Sequence, residues 1–156
     1  KVTGQHNGTI EVNGGNIMVD GGKIVGGTVD INMNTIVVSD LKDPEMNGKL
    51  KGHLMSDDFF GVANHPTASL KILEVKEQKD GSFHIHGDLT IKGITEKVEI
   101  PATIKMENDK VVAIGEATID RTKFNIQYGS GKFFEDLGDK MIYDDFVVKF
   151  KVGAMK

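Results

Sequence analysis

Apolar and polar residues alternate with a period of two along most of this chain. In KIVGGTVDINMNTIVV, Val25, Val29, Ile31 and Met33 share one parity, while Thr28, Asp30 and Asn32 share the other. Leu70 and Ile72 alternate in ASLKI. In SFHIHGDLTIKG, Phe83, Ile85, Leu89 and Ile91 alternate with Ser82, His84, His86, Asp88 and Thr90. KVEIPATIKM repeats the pattern through Val98, Ile100, Ala102, Ile104 and Met106, and DFVVKFKV through Phe146, Val148, Phe150 and Val152. Side chains on a strand point to opposite faces in turn, so these runs predict strands with one buried and one solvated face. Asn7-Gly8, Asn13-Gly14-Gly15, Asp20-Gly21-Gly22, Asp80-Gly81 and Asn108-Asp109 sit between them as turn signals. Asn and Gly tolerate the positive φ of tight hairpins. Pro101 falls inside an alternating run, which puts it at an edge, a bulge or a strand break.

Two segments break the alternation. In residues 44–62, Pro44 suits a first helical turn, and Met46, Leu50 and Leu54 are spaced to share a helical face. Gly48 and Gly52 weaken that helix by up to about 1 kcal/mol each relative to Ala. Ser56 reads as the N-cap of a second short turn, with Asp57 and Asp58 at its positive end. In residues 130–138, Ser130 can cap a helix whose apolar face is Phe133, Phe134 and Leu137, with Gly138 as its stop.

The prediction is an all-β protein: an antiparallel β-barrel of about eight strands with one or two short helices, over residues 1–156 as a single domain. A barrel removes the exposed strand edges that an open sheet must cover, and eight strands can enclose one small ligand. A sandwich is the alternative. A chain of 156 residues buries enough surface to fold without disulfides, and it has no cysteine. Thiol catalysis and cysteine-ligated metals are thereby excluded. A net charge of −4 with no basic stretch argues against nucleic acid, and no apolar run reaches the length of a membrane span. The sequence starts at Lys1, as expected of a cleaved leader or a trimmed chain.

Candidate chemistry concentrates in HLMSDDFFGVANHP, residues 53–66. His53, Asp57 and His65 could serve a metal-assisted enzyme, but a metal needs three or four convergent ligands and this spacing matches no strong motif. Capping by Ser56 and Asp57, with Phe59 and Phe60 plugging a barrel end, accounts for the same residues. His84 and His86 share a strand face, on the solvated parity. No GxSxG motif supports a serine nucleophile, and the acidic pairs lie at turns. Arg121 is the only arginine. It fits either a hydrogen-bond network at a barrel end or a donor to a polar head group.

Several longer words resemble the YceI-like polyisoprenoid-binding family. GHLMSDDFFGVANHPTASLKI matches its helix-to-strand signature through His53, Leu54, Ser56, Asp58, Phe59, Phe60, Val62 and Pro66. GDLTIKGITEKVEIPA matches a second word through Gly87, Leu89, Thr90, Gly93, Thr95 and Val98. ATIDRTKFNIQYGSG is similar to a third through Asp120, Arg121, Phe124 and Ile126, and GQHNGTI to an early His-x-Gly segment. These words cover nearly the whole chain in the family's order. One departure stands at the start: only KVTGQ precedes His6, where related proteins carry more of an aromatic-bearing first strand.

The resemblance implies a lipocalin-like barrel, secreted or periplasmic, with an apolar tunnel for an isoprenoid chain and no cofactor. The expected function is therefore non-enzymatic carriage of a polyisoprenoid or other long-chain lipid. Parity and resemblance together put the tail among Val29, Ile31, Leu70, Ile72, Ile85 and Leu89, and among Ile91, Ile104, Ile119, Phe124, Ile126 and Phe146. Phe59, Phe60, Phe133 and Phe134 are the expected lids, and Arg121 the candidate polar contact. The expected state is monomer or homodimer, with a hydrophobic small molecule as partner. The metal-assisted enzyme and a protein-interaction module are the alternatives.

Overall fold

The computed structural model describes residues 5–21, 23–130, 133, 135 and 142–155. Seven strands follow in chain order: β1 (Gly8–Asp20), β2 (Lys23–Val38), β3 (Thr67–Glu77), β4 (Phe83–Ile91), β5 (Ile94–Glu107), β6 (Lys110–Asp120) and β7 (Asp145–Met155). Each pairs antiparallel with the next, so sheet order is chain order. The sheet curls into a half-barrel with one α-helix among the described residues. The antiparallel barrel of about eight strands expected from the sequence is described here with seven, and among the described residues no ladder joins β1 to β7. Gly21, Gly81 and Asn108 turn the chain with positive φ, as their sequence signals predict. Lys92 and Gly93, with φ of 54° and 77°, make the tight β4–β5 turn that the sequence signals did not flag.

Parity fails in the β1–β2 hairpin. Asn13-Gly14-Gly15 is not a turn but lies inside β1, beside a register shift between Val12 and Gly14. A second shift, between Met18 and Val19, drops Val25 from the pairing. A bulge moves the following residues to the other face. Ile24 is therefore buried, while Val25 is 47% exposed despite sharing parity with Val29 and Ile31.

The helix α1 (Pro44–Met55) connects β2 to β3. Asp43 caps it by accepting from the Glu45 amide at 3.0 Å. Ser56, read from sequence as an N-cap, is instead its C-cap: its hydroxyl donates to the His53 carbonyl at 2.6 Å. The Ser56 carbonyl then accepts from the amides of Phe59 and Gly61, which folds Asp57–Phe60 back under the helix. Of the helix expected over 130–138, Phe134, Leu137 and Gly138 lie outside the described residues.

Pro101 sits where β5 parts from β6. The two pair only from Ala102–Gly115 to Glu107–Lys110, although β5 keeps its ladder to β4 back to Ile94 and β6 its ladder to β7 through Asp120. Proline has no amide hydrogen with which to extend a ladder.

Candidate functional site

The buried face of the sheet carries two apolar clusters. One, at the α1 end, includes Met33, Ile36, Phe59, Val62, Ala68, Leu89, Ile91, Phe124 and Ile126. The other includes Ile72, Ile85, Ile100, Ala102 and Ala117. Leu70, Val98 and Ile119 pack against both, so the apolar strip is continuous along the trough.

Most of the predicted tail positions lie on this strip. Ile72, Ile85, Leu89, Ile91, Phe124 and Ile126 are buried in it, and Val29, Ile31, Leu70, Ile119 and Phe146 pack against it half-buried. Ile104 is half-buried two residues beyond Ala102, on the same parity. Their placement follows from the pleat: in β4 every second residue from Ile85 to Ile91 is buried. Met33, on the parity of Val29 and Ile31, is buried as that alternation predicts, whereas Ile36 and Ala68 were not among the alternating positions. Met33 and Ile36 are three apart and both inside because the chain kinks at Asn32–Thr35, where the Thr35 hydroxyl donates to the Asn32 carbonyl at 2.6 Å.

The candidate lids divide. Phe59 is buried and Phe60 half-buried, whereas Phe133 is 47% exposed and Phe134 lies outside the described residues. Phe60 meets Phe146 edge-on at 5.9 Å. The His53 ring packs edge-on between Phe59 at 4.9 Å and Tyr128 at 4.5 Å. No alternation or motif marked Tyr128; its place is set by the turn after Ile126. Lys92 Nζ donates to the carbonyls of Asp57 and Asn125, tying this cap to the β4–β5 turn.

His53 Nε2 pairs with Asp58 Oδ2 at 3.0 Å rather than with Asp57. Among the described residues, no three His, Asp or Glu side chains converge as metal ligands, so His53, Asp57 and His65 are not gathered into one site. On the outer face, His84 Nδ1 pairs with Glu99.

Arg121 opens a 3-10 turn, Arg121–Phe124, capped by Asp120, whose carboxylate accepts from the Thr122 amide at 3.0 Å. Arg121 is only 4% exposed. Its Nε donates to the Tyr143 carbonyl at 2.9 Å, Nη1 to Ile126 at 3.0 Å and Nη2 to Ile142 at 3.1 Å. Burial pushes the guanidinium below its ordinary pKa, and Asp144 and Asp120 act in the other direction. The fork therefore holds the Ile126 carbonyl together with those of Ile142 and Tyr143.

A depression of about 500 Å³ on the solvated parity is lined by Thr28, Asp30, Ser69, Lys71, Asp88 and Thr90, with Leu70 beneath. Its walls lack the apolar surface of the trough.

An antiparallel half-barrel with a continuous apolar trough, stoppered at one end by an aromatic cap, defines the class: a sheet shaped around an apolar interior. The YceI-like domain model matches residues 1–154, and the chain belongs to that family. Curated relatives include a UPF0312 protein of Shewanella denitrificans, 33% identical over 88 residues, and one of Azotobacter vinelandii, 32% identical over 95. Those matches cover 56% and 61% of this chain but only 44% and 47% of the relatives, so the matched part is less than half their length. Among solved structures, Burkholderia cenocepacia BcnA aligns with a TM-score of 0.71 at 22% identity, over 91% of this chain and 83% of its own. A polyisoprenoid binding domain from Saccharophagus degradans aligns with a TM-score of 0.57 at 10% identity, over 83% of this chain and 78% of its own. These likenesses are of fold.

Proposed function

We propose that this protein binds a hydrophobic, isoprenoid-type lipid along the trough of the half-barrel and carries it without catalysis. The observation that carries this is the continuity of the apolar strip: Leu70, Val98 and Ile119 bridge its two clusters. A long flexible chain needs such a lining, because its burial contributes about 25 cal/mol per Å² and asks for no directional partners. Membership of the YceI-like family and the fold shared with a polyisoprenoid binding domain support the choice of lipid. Family resemblance also supports a periplasmic or secreted location, which fractionation of the source cells tests. The binding experiment is mass spectrometry of an organic extract of protein purified from its source. Co-purifying isoprenoid lipid in stoichiometric amount is the expected result. A clean extract, together with failure of the protein to take up added polyprenol, overturns the proposal.

A further inference from the structure

The parting of β5 from β6 leaves a gap in the sheet beside its apolar strip. No ladder pairs residues 94–101 of β5 with 116–120 of β6, and 96–100 and 117–120 line the gap between them. The gap is a cleft of about 350 Å³. Its walls include Leu89, Val98, Ile100, Ala117, Ile119 and Phe124, all of them part of the apolar strip or packed against it. The floor of the cleft is therefore made by residues of the apolar strip itself.

The rim is polar and acidic. Glu96, Glu99, Asp120 and Asp145 line it against two lysines, Lys97 and Lys123. Glu96 pairs across the ladder with buried Leu89, so it shares the apolar parity of β5 and stands on the trough side of the sheet. Strand backbone that a ladder leaves can offer both amide hydrogens and carbonyl oxygens to a bound group. A hydroxyl or carbonyl head can use both kinds of group. A diphosphate head would bring negative charge against a rim that is already net negative, and like charges at close range repel.

We propose that the β5–β6 cleft is a lateral mouth of the trough that admits a hydrophobic chain and holds an uncharged polar head at its acidic rim. This inference rests on the lipid-binding reading above and adds the entrance and the class of head group.

The test uses the full chain, the uncharged fluorescent probe N-phenyl-1-naphthylamine, and two competitors of equal chain length, geranylgeraniol and geranylgeranyl diphosphate. On the wild type at low ionic strength the alcohol should displace the probe at least about tenfold more effectively, and added salt should narrow that preference by screening the rim. Glu96→Lys should shift the ratio toward the diphosphate by about fivefold or more, since it replaces a negative charge by a positive one. Ala117→Trp should weaken both competitors alike by filling the cleft. A wild-type preference for the diphosphate, or a ratio unmoved by Glu96→Lys, overturns the inference, and so does unchanged binding by a folded Ala117→Trp. Should that last variant fail to fold, the head-group comparison and Glu96→Lys decide alone. If the wild type binds neither probe nor competitor, the lipid-binding reading falls and takes this one with it. If it binds both competitors but prefers the diphosphate, only the inference about the mouth falls.

Discussion

The guanidinium carbon of Arg121 lies 5.8 Å from the centroid of the Phe59 ring, so a buried cation lies against the ring that stoppers the trough. Cation and ring attract one another, and the same cation donates to three backbone carbonyls. Motif and stopper are thus one packed unit joining the 3-10 turn, the segment below α1 and the approach to β7.

Removing that unit's donor should be costly. Arg121→Ala strands carbonyls in a buried setting, and the expected loss is about 3 kcal/mol in urea denaturation. Arg121→Lys should recover little of it, because an ammonium on a flexible stem cannot reproduce a planar three-nitrogen fork. The opposite pattern, normal stability with lipid affinity lost, would show that Arg121 serves a ligand head instead.

The two phenylalanines should separate stability from binding. Phe59 is buried against His53, Tyr128 and Arg121, so Phe59→Ala should cost about 3–5 kcal/mol and lower the melting temperature by about 2–4 °C per kcal/mol. Phe60 is half-buried and, among the described residues, Phe146 is the one ring it meets. Phe60→Ala should cost less than half as much stability, and probe binding should register the larger part of its effect. Calorimetry and dye titration on the same samples check the split.

The trough was legible because β4 obeys its pleat without interruption, so Ile85, Leu89 and Ile91 could be placed by counting twos. Counting fails where the backbone slips. Val25 was assigned with Val29 because nothing in KIVGG marks the bulge that turns it outward. Ser56 has the chemistry of a cap at either end of a helix, and only the chain's direction after Met55 decides which. Pro101 was read as an edge, a bulge or a strand break, and nothing in its local sequence shows that the β5–β6 ladder stops beside it at Ala102. Tyr128 lies in a turn where no period operates.

Glycine substitutions should sort by what surrounds them. Gly27 has φ of 138°, and an added Cβ would sit 2.1 Å from the Asn16 carbonyl oxygen. Gly27→Ala must therefore disturb the β1–β2 bulge, with a loss of about 2 kcal/mol or more. Gly48, in α1, has nothing within 4 Å of that position. Gly48→Ala should gain about 0.5–1 kcal/mol by lowering the entropy of the unfolded chain and raising helix propensity. Thermal melts of the two single variants should move in opposite directions.

The start of β1 should respond to acid through Asp40. Its carboxylate is held below the ordinary range, first by its side-chain hydrogen bond with His6 and next by the Asn7 amide, which donates to Asp40 Oδ1 at 3.1 Å. A lowered folded pKa means that the folded state binds the proton less readily than the unfolded chain. The resulting stabilisation is complete above the unfolded value of about 3.9 and is lost as pH falls through the lower folded value. Followed by NMR, the Asn7 amide shift should titrate with a midpoint below about 3.9, and Asp40→Asn should abolish that step. A midpoint at or above the ordinary value would mean that His6 and Asn7 do not hold the carboxylate in solution. The amide of Ser39 donates to the Asn7 carbonyl at 2.9 Å, so loss of the Asp40 contact should also loosen the pairing of Gly8 with Val38. Proton exchange at Ser39 should then quicken in Asp40→Asn, while the exchange of β4 amides stays unchanged.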